Sequence, residues 1–133
     1  MTTRLKVATS RINYFAQADE MVLNTTIGSG TGLGAVFAPT WDLVKNSKDG
    51  KITWEQYTEG YTRLMRMRYL DNRDAFEQIL ASQQTIVLCC YCNEPEKTYK
   101  EHHCHRFLLA DIFRKLAESR GIEFDYIGEF GRK

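Results

Sequence analysis

Apolar and polar residues alternate in "RLKVAT" (Arg4 to Thr9), a period of two that sends successive side chains to opposite faces of an extended chain and predicts a first strand. A second strand is expected over "EMVLNTTI" (Glu20 to Ile27), stopped by the glycine-rich "GSGTGLG". Beyond it the period lengthens. "APTWDLVKNSKDG" predicts a short helix, with Pro39 near its start and the turn "KDG" after its end. The stretch from Ile52 to Ser82 carries a longer helical pattern, opened by Thr53 and Gln56 at capping-box spacing and divided into two helices by "LDN" at positions 70 to 72. Tyr57, Tyr61, Leu64 and Met65, followed by Arg68, recur at intervals of three and four, and an aromatic and methionine stripe of this kind reads as core.

"TIVLCCYC" (Thr85 to Cys92) is almost continuously apolar, the mark of a strand buried on both faces. After the polar loop "NEPEKTYKEHH", the segment "CHRFLLADIFRKLAESRG" sets Leu109, Ile112, Phe113 and Leu116 on a helical stripe and stops at Gly121, and "IEFDYIGEF" supplies a last strand. Strand, helix and strand in this order predict a C-terminal βαβ unit with parallel strands. The expected fold is α/β, a three-layer sandwich with a small, mostly parallel sheet, in one domain over residues 1–133.

Composition narrows the function classes. With 43% hydrophobic and 26% charged residues the chain is neither disordered nor a disulfide-stapled miniature. Lys and Arg (18) nearly balance Asp and Glu (17), so no basic stripe points to nucleic acid held through its phosphates, which leaves a single nucleotide or a flipped base open. No apolar run approaches the ~20 residues of a membrane span, so no membrane partner is expected and the protein is assigned to the cytoplasm. Cys89 and Cys90, neighbours in a strand, point to opposite faces, which favours reduced thiols or metal thiolates over disulfides.

Two motifs resemble sites without being complete. Gly28, Gly30, Gly32 and Gly34 fit neither the dinucleotide fingerprint nor the Walker A pattern, and read as a mobile surface loop or lid. "KNSKDGKITWEQ" (Lys45 to Gln56) has the central glycine of a calcium loop but begins with a cation and ends without the bidentate carboxylate.

The chemistry gathers in Leu88 to Phe113, which holds all 4 cysteines and all 3 histidines. Ligands of parallel sheets bind beyond the carboxyl ends of the strands, where the following helix offers its amino terminus. Tyr91 and Cys92 stand at such a strand end, and Cys104, His105 and Arg106 at such a helix start. A cation at a helix amino terminus opposes the dipole, and a bound anion explains Arg106 there. The same field lowers the pKa of the Cys104 thiol, making it a candidate nucleophile with His103 and His105 as candidate general bases. A second arrangement is a zinc site, with Cys89 and Cys92 as C-x-x-C and His102 and His105 as H-x-x-H.

"VLCCYCNEPEKTYKEHHCHRFLLADIF" resembles the strand, loop and Cys-His-Arg helix of the bacterial and phage proteins grouped as domain-of-unknown-function 488. "FAPTWDLVKNSKDGKITWEQYTEGYTRLM" is similar to that family's Pro-containing helix, Asp-Gly turn and following helix start, and "KVATSRINYF" to its opening strand. The resemblance implies an α/β fold and a pocket bounded by Thr9, Ser10, Tyr91, Cys92, Cys104, His105 and Arg106. It implies no reaction. The resulting expectation is an enzyme acting on a nucleotide, a modified base or a phosphorylated metabolite. The alternatives are a non-catalytic nucleotide-binding or sequestering module, and a zinc protein. No cofactor is required by the first two.

Overall fold

The computed structural model describes residues 4–11, 17–25, 32–90 and 105–130. Four strands, β1 (Arg4–Arg11), β2 (Glu20–Asn24), β3 (Thr85–Cys90) and β4 (Glu123–Phe130), form one sheet in the order β2-β3-β1-β4. Every pairing is parallel, so the protein is α/β with a small parallel sheet, as the strand–helix–strand pattern predicts. Five helices complete it: α1 (Gly32–Ala35), α2 (Trp41–Lys48), α3 (Trp54–Asp71), α4 (Arg73–Leu80) and α5 (His105–Ser119). The C-terminal unit β3-α5-β4 is present, with β1 lying between its two strands.

The position of β1 explains its burial. Its sequence alternates as a half-exposed strand would, yet Val7, Ala8, Thr9 and Ser10 are all at 0% exposure, because β1 has a strand on either side and both of its faces are covered. Leu5 and Val7 join Leu23, Ile86 and Leu88 in the large core, while Ala8, Val87 and Cys89, with Val22, form a small second cluster on the other face. All the described helices contribute to the large core: Tyr57, Tyr61 and Met65 from α3, Phe76, Ile79 and Leu80 from α4, and Leu109, Ala110, Phe113 and Ala117 from α5, with Leu33 and Leu43 of α1 and α2 packed against them. The second face is buried, as a layered sandwich requires, but no described helix has a residue in its cluster.

Local signals place the helix starts. Thr40 caps α2 by accepting the Leu43 N–H, and Thr53 and Gln56 form the expected capping box at α3. The break at "LDN" falls at Asn72, between α3 and α4. At the centre of the core the Phe37 ring meets Phe76 edge-on at 4.9 Å and Phe113 at 5.4 Å. The Tyr61 hydroxyl donates to the Phe37 carbonyl oxygen at 2.7 Å, so the buried phenol is satisfied.

The glycine run differs from its reading as a loop. Strand β2 ends at Asn24 rather than Ile27, and Gly32 and Gly34 belong to α1, while Gly28 and Gly30 lie outside the described residues. Gly34 is there for closeness: a Cβ at this position would stand 2.3 Å from the Asn24 carbonyl oxygen and 2.9 Å from its carbonyl carbon. Backbone cannot rotate away as a side chain can, so Gly34→Ala must push α1 off β2. A loss of about 1–3 kcal/mol in urea unfolding is the expected result.

Candidate functional site

Parallel pairing brings the carboxyl ends of all four strands to one edge of the sheet. Asn24, Cys89, Ser10 and Phe130 stand side by side there, each the register partner of the next. The loops that follow parallel strands open at this edge, and α5 begins there.

Strand geometry separates two residues that the sequence had grouped. Thr9 shares the face of Leu5 and Val7, towards α5, and its hydroxyl lies 2.6 Å from that of Tyr126 on β4. Ser10, one residue on, shares the opposite face with Ala8 and Cys89. Both are fully buried. A single ligand touches both only by reaching around the end of β1.

On the α5 face, Thr25, at the end of β2, joins three elements. Its N–H donates to the Cys89 carbonyl oxygen at 2.8 Å and its hydroxyl donates to the same oxygen at 2.9 Å. The His105 Nε2 atom lies 2.9 Å from the Thr25 hydroxyl oxygen and 3.0 Å from the Thr25 carbonyl oxygen. The imidazole packs against Tyr61, with ring centroids 5.6 Å apart. Burial is the main force on its titration and, with nearby Arg106 acting in the same direction and the bond to Thr25 opposing, lowers its pKa to about 4. His105 is therefore neutral at physiological pH.

Arg106 follows directly. Its side chain is at 0% exposure, in the first turn of a fifteen-residue helix, with the guanidinium carbon 4.5 Å from the centroid of the Phe107 ring. A fully buried guanidinium is rare without charge-assisted hydrogen bonds, since desolvating the cation costs several kcal/mol. The helix dipole adds to that cost at this end.

The expected site residues divide accordingly. His105, Arg106, Thr9 and Ser10 are placed at or near the carboxyl edge of the sheet, with His105 and Arg106 on its α5 side. Tyr91, Cys92, His103 and Cys104 lie outside the described residues. Of the zinc quartet, Cys92 and His102 are likewise outside them, and the two that are described diverge: Cys89 turns to the small cluster while His105 lies on the other side of the sheet. Among the described residues no three His, Cys, Asp or Glu side chains gather as metal ligands do.

Thr25 and Tyr126 were not singled out from sequence. Each carried a signal: Thr25 stands two residues after Leu23 and Tyr126 two after Phe124, so the strand period puts both side chains on the α5 face of the sheet, where the buried Thr25 hydroxyl must find a partner.

Neither the curated proteins nor the solved structures contain a match to this chain. Residues 35–117 match the family described as the active DUF488-N3 subclade, a span that runs from the end of α1 to the last turns of α5 and includes β3, His105 and Arg106. The span takes in more than half of the 133 residues, and the chain belongs to the domain-of-unknown-function 488 family.

Proposed function

We propose that the protein is an enzyme acting on a small anionic ligand, of the nucleotide or phosphorylated-metabolite class, bound at the carboxyl edge of the sheet where α5 begins. The observation that carries this reading is Arg106, a guanidinium with no exposed surface on the first turn of a helix that starts beside the strand ends. A ligand phosphate there meets both the cation and the helix amino terminus.

In this reading Arg106 and the first turn of α5 hold the anion, and Cys104, one position before the helix, is the nucleophile, its thiolate favoured by the same positive field. His105 is too weak a base to take the thiol proton, since burial holds it near 4, so that role passes to His103 or to the ligand itself. The description of the matched subclade as active supports catalysis over sequestration. Burial of Cys89 outside any disulfide supports a reducing, cytoplasmic setting.

The test is calorimetric titration of inorganic phosphate and of nucleoside monophosphates into the whole protein. Arg106→Gln is expected to weaken binding roughly a hundredfold, as the loss of a buried charged hydrogen-bond donor does, with Arg106→Lys falling between. Equal binding by the wild type and a folded Arg106→Gln variant would overturn the reading. Turnover of a ligand so identified is expected to cease in Cys104→Ala.

A further inference from the structure

The hydrogen bonds around Thr25 have one consistent assignment of protons, and it decides what the His105 ring can offer. The Cys89 and Thr25 carbonyl oxygens only accept. The hydroxyl proton of Thr25 goes to Cys89, 2.9 Å away. That leaves the 3.0 Å contact between His105 Nε2 and the Thr25 carbonyl to be made by a proton on Nε2, with the Thr25 hydroxyl oxygen, at 2.9 Å, sharing it as a second acceptor. The reverse arrangement, a bare Nε2 accepting from the hydroxyl, would set a nitrogen lone pair against the Thr25 carbonyl and two oxygens against each other at the Cys89 carbonyl. Both of those contacts would be repulsive in a fully buried place.

With Nε2 committed, Nδ1 carries the ring's lone pair. Among the described residues nothing pairs with Nδ1, although the side chain is buried to within 8% of exposure and Arg106 is its neighbour in the chain. We propose that His105 is a specificity-determining residue: Thr25 holds it as the Nε2–H tautomer, and Nδ1 accepts a hydrogen bond from an O–H or N–H of the bound ligand, beside the anion held by Arg106. The inference rests on the anion site proposed above and narrows its occupant. The ligand is an anion that also presents a hydrogen-bond donor close to its charge, such as a protonated phosphate oxygen or a neighbouring hydroxyl or amino group. A fully deprotonated anion meets a lone pair instead and binds less well.

Phosphate and sulfate separate these cases, because phosphate near neutrality keeps at least one O–H and sulfate keeps none. Long-range proton–nitrogen NMR of the ¹⁵N-labelled protein, with His105 assigned by its loss in His105→Gln, is expected to show protonated Nε2 and bare Nδ1 at pH 7. Inorganic phosphate is expected to shift the Nδ1 signal and to bind roughly tenfold more tightly than sulfate, the worth of one net hydrogen bond. In His105→Gln the preference for phosphate over sulfate is expected to fall to about twofold or less.

A proton on Nδ1 in the free protein, or equal binding of phosphate and sulfate by the wild type, overturns this inference while leaving the anion site standing. Binding of neither anion overturns the anion site, and this inference with it.

Discussion

Replacing Phe37 with alanine is expected to destabilise the protein by about 3–5 kcal/mol, the range for removing a buried aromatic side chain from a core that cannot close over the gap. The residue sits in the short segment after α1 and is at 0% exposure, with its ring edge-on to Phe76 of α4 and Phe113 of α5. Those neighbours belong to different helices, so collapse into the cavity would have to move two elements at once, both tied to the sheet or to α3. The Phe37 carbonyl is also where the buried Tyr61 hydroxyl donates, and a shift of the segment would leave that phenol unsatisfied. Phe37→Leu keeps most of the volume and is expected to cost less than half as much. Urea unfolding monitored by circular dichroism measures both, and similar losses for the two variants would contradict the packing argument.

Acid is expected to have an effect of comparable size. His105 titrates near 4 in the folded protein and near ~6.5 in an unfolded chain. Between those values the unfolded chain binds a proton that the folded one does not, so stability rises with pH through this window. The contribution is fully present above about 6.5 and is lost as pH falls towards 4. The loss amounts to about 3 kcal/mol, from 1.36 kcal/mol per pH unit. Glu77, whose carboxyl is held below its ordinary value by the hydrogen bond from Arg120, adds its own loss only at lower pH. Unfolding free energies at half-unit steps from pH 7 to 4 follow the slope. His105→Gln, which has no titrating ring, is expected to flatten it across this range, and a slope unchanged in that variant would assign the effect elsewhere.

Much of the fold is legible in local pattern. The capping box at Thr53, the break at Asn72 and the stripe of Tyr57, Tyr61 and Met65 are short-range features, readable because their geometry is set within a few residues. The strands were recognisable, but their order was not, since the register of Lys6 with Thr85 depends on residues distant in the sequence. That hidden order is why β1 looks half-exposed and is buried. The Gly34 reading failed for a related reason: a flexible glycine and a glycine pressed against another backbone are identical in sequence, and only the proximity of Asn24 distinguishes them.

The candidate site was legible by residue type and less so by direction. Clustering the histidines and cysteines led to His105 and Arg106, both of which are buried at the carboxyl edge of the sheet. Clustering did not separate Thr9 from Ser10, which depends on the alternation of one strand, nor find Thr25, which has no chemistry until His105 is brought to it across eighty positions.

The strand order also fixes when the sheet can form during synthesis. β1 is among the earliest described segments to be made, yet its two partners are β3, which pairs Thr85 with Lys6, and β4, which pairs Glu123 with Arg4. Its neighbour in the chain, β2, hydrogen-bonds among the described strands only to β3. Among the described strands the central one therefore has no ladder partner until β3 has been translated, and it lacks the second until β4 emerges. During that interval the segment from Leu5 to Ala8, with both faces apolar from Val7 onward, is open to pairing elsewhere, and aggregation at this stage is the cost of placing the first strand at the centre of the sheet.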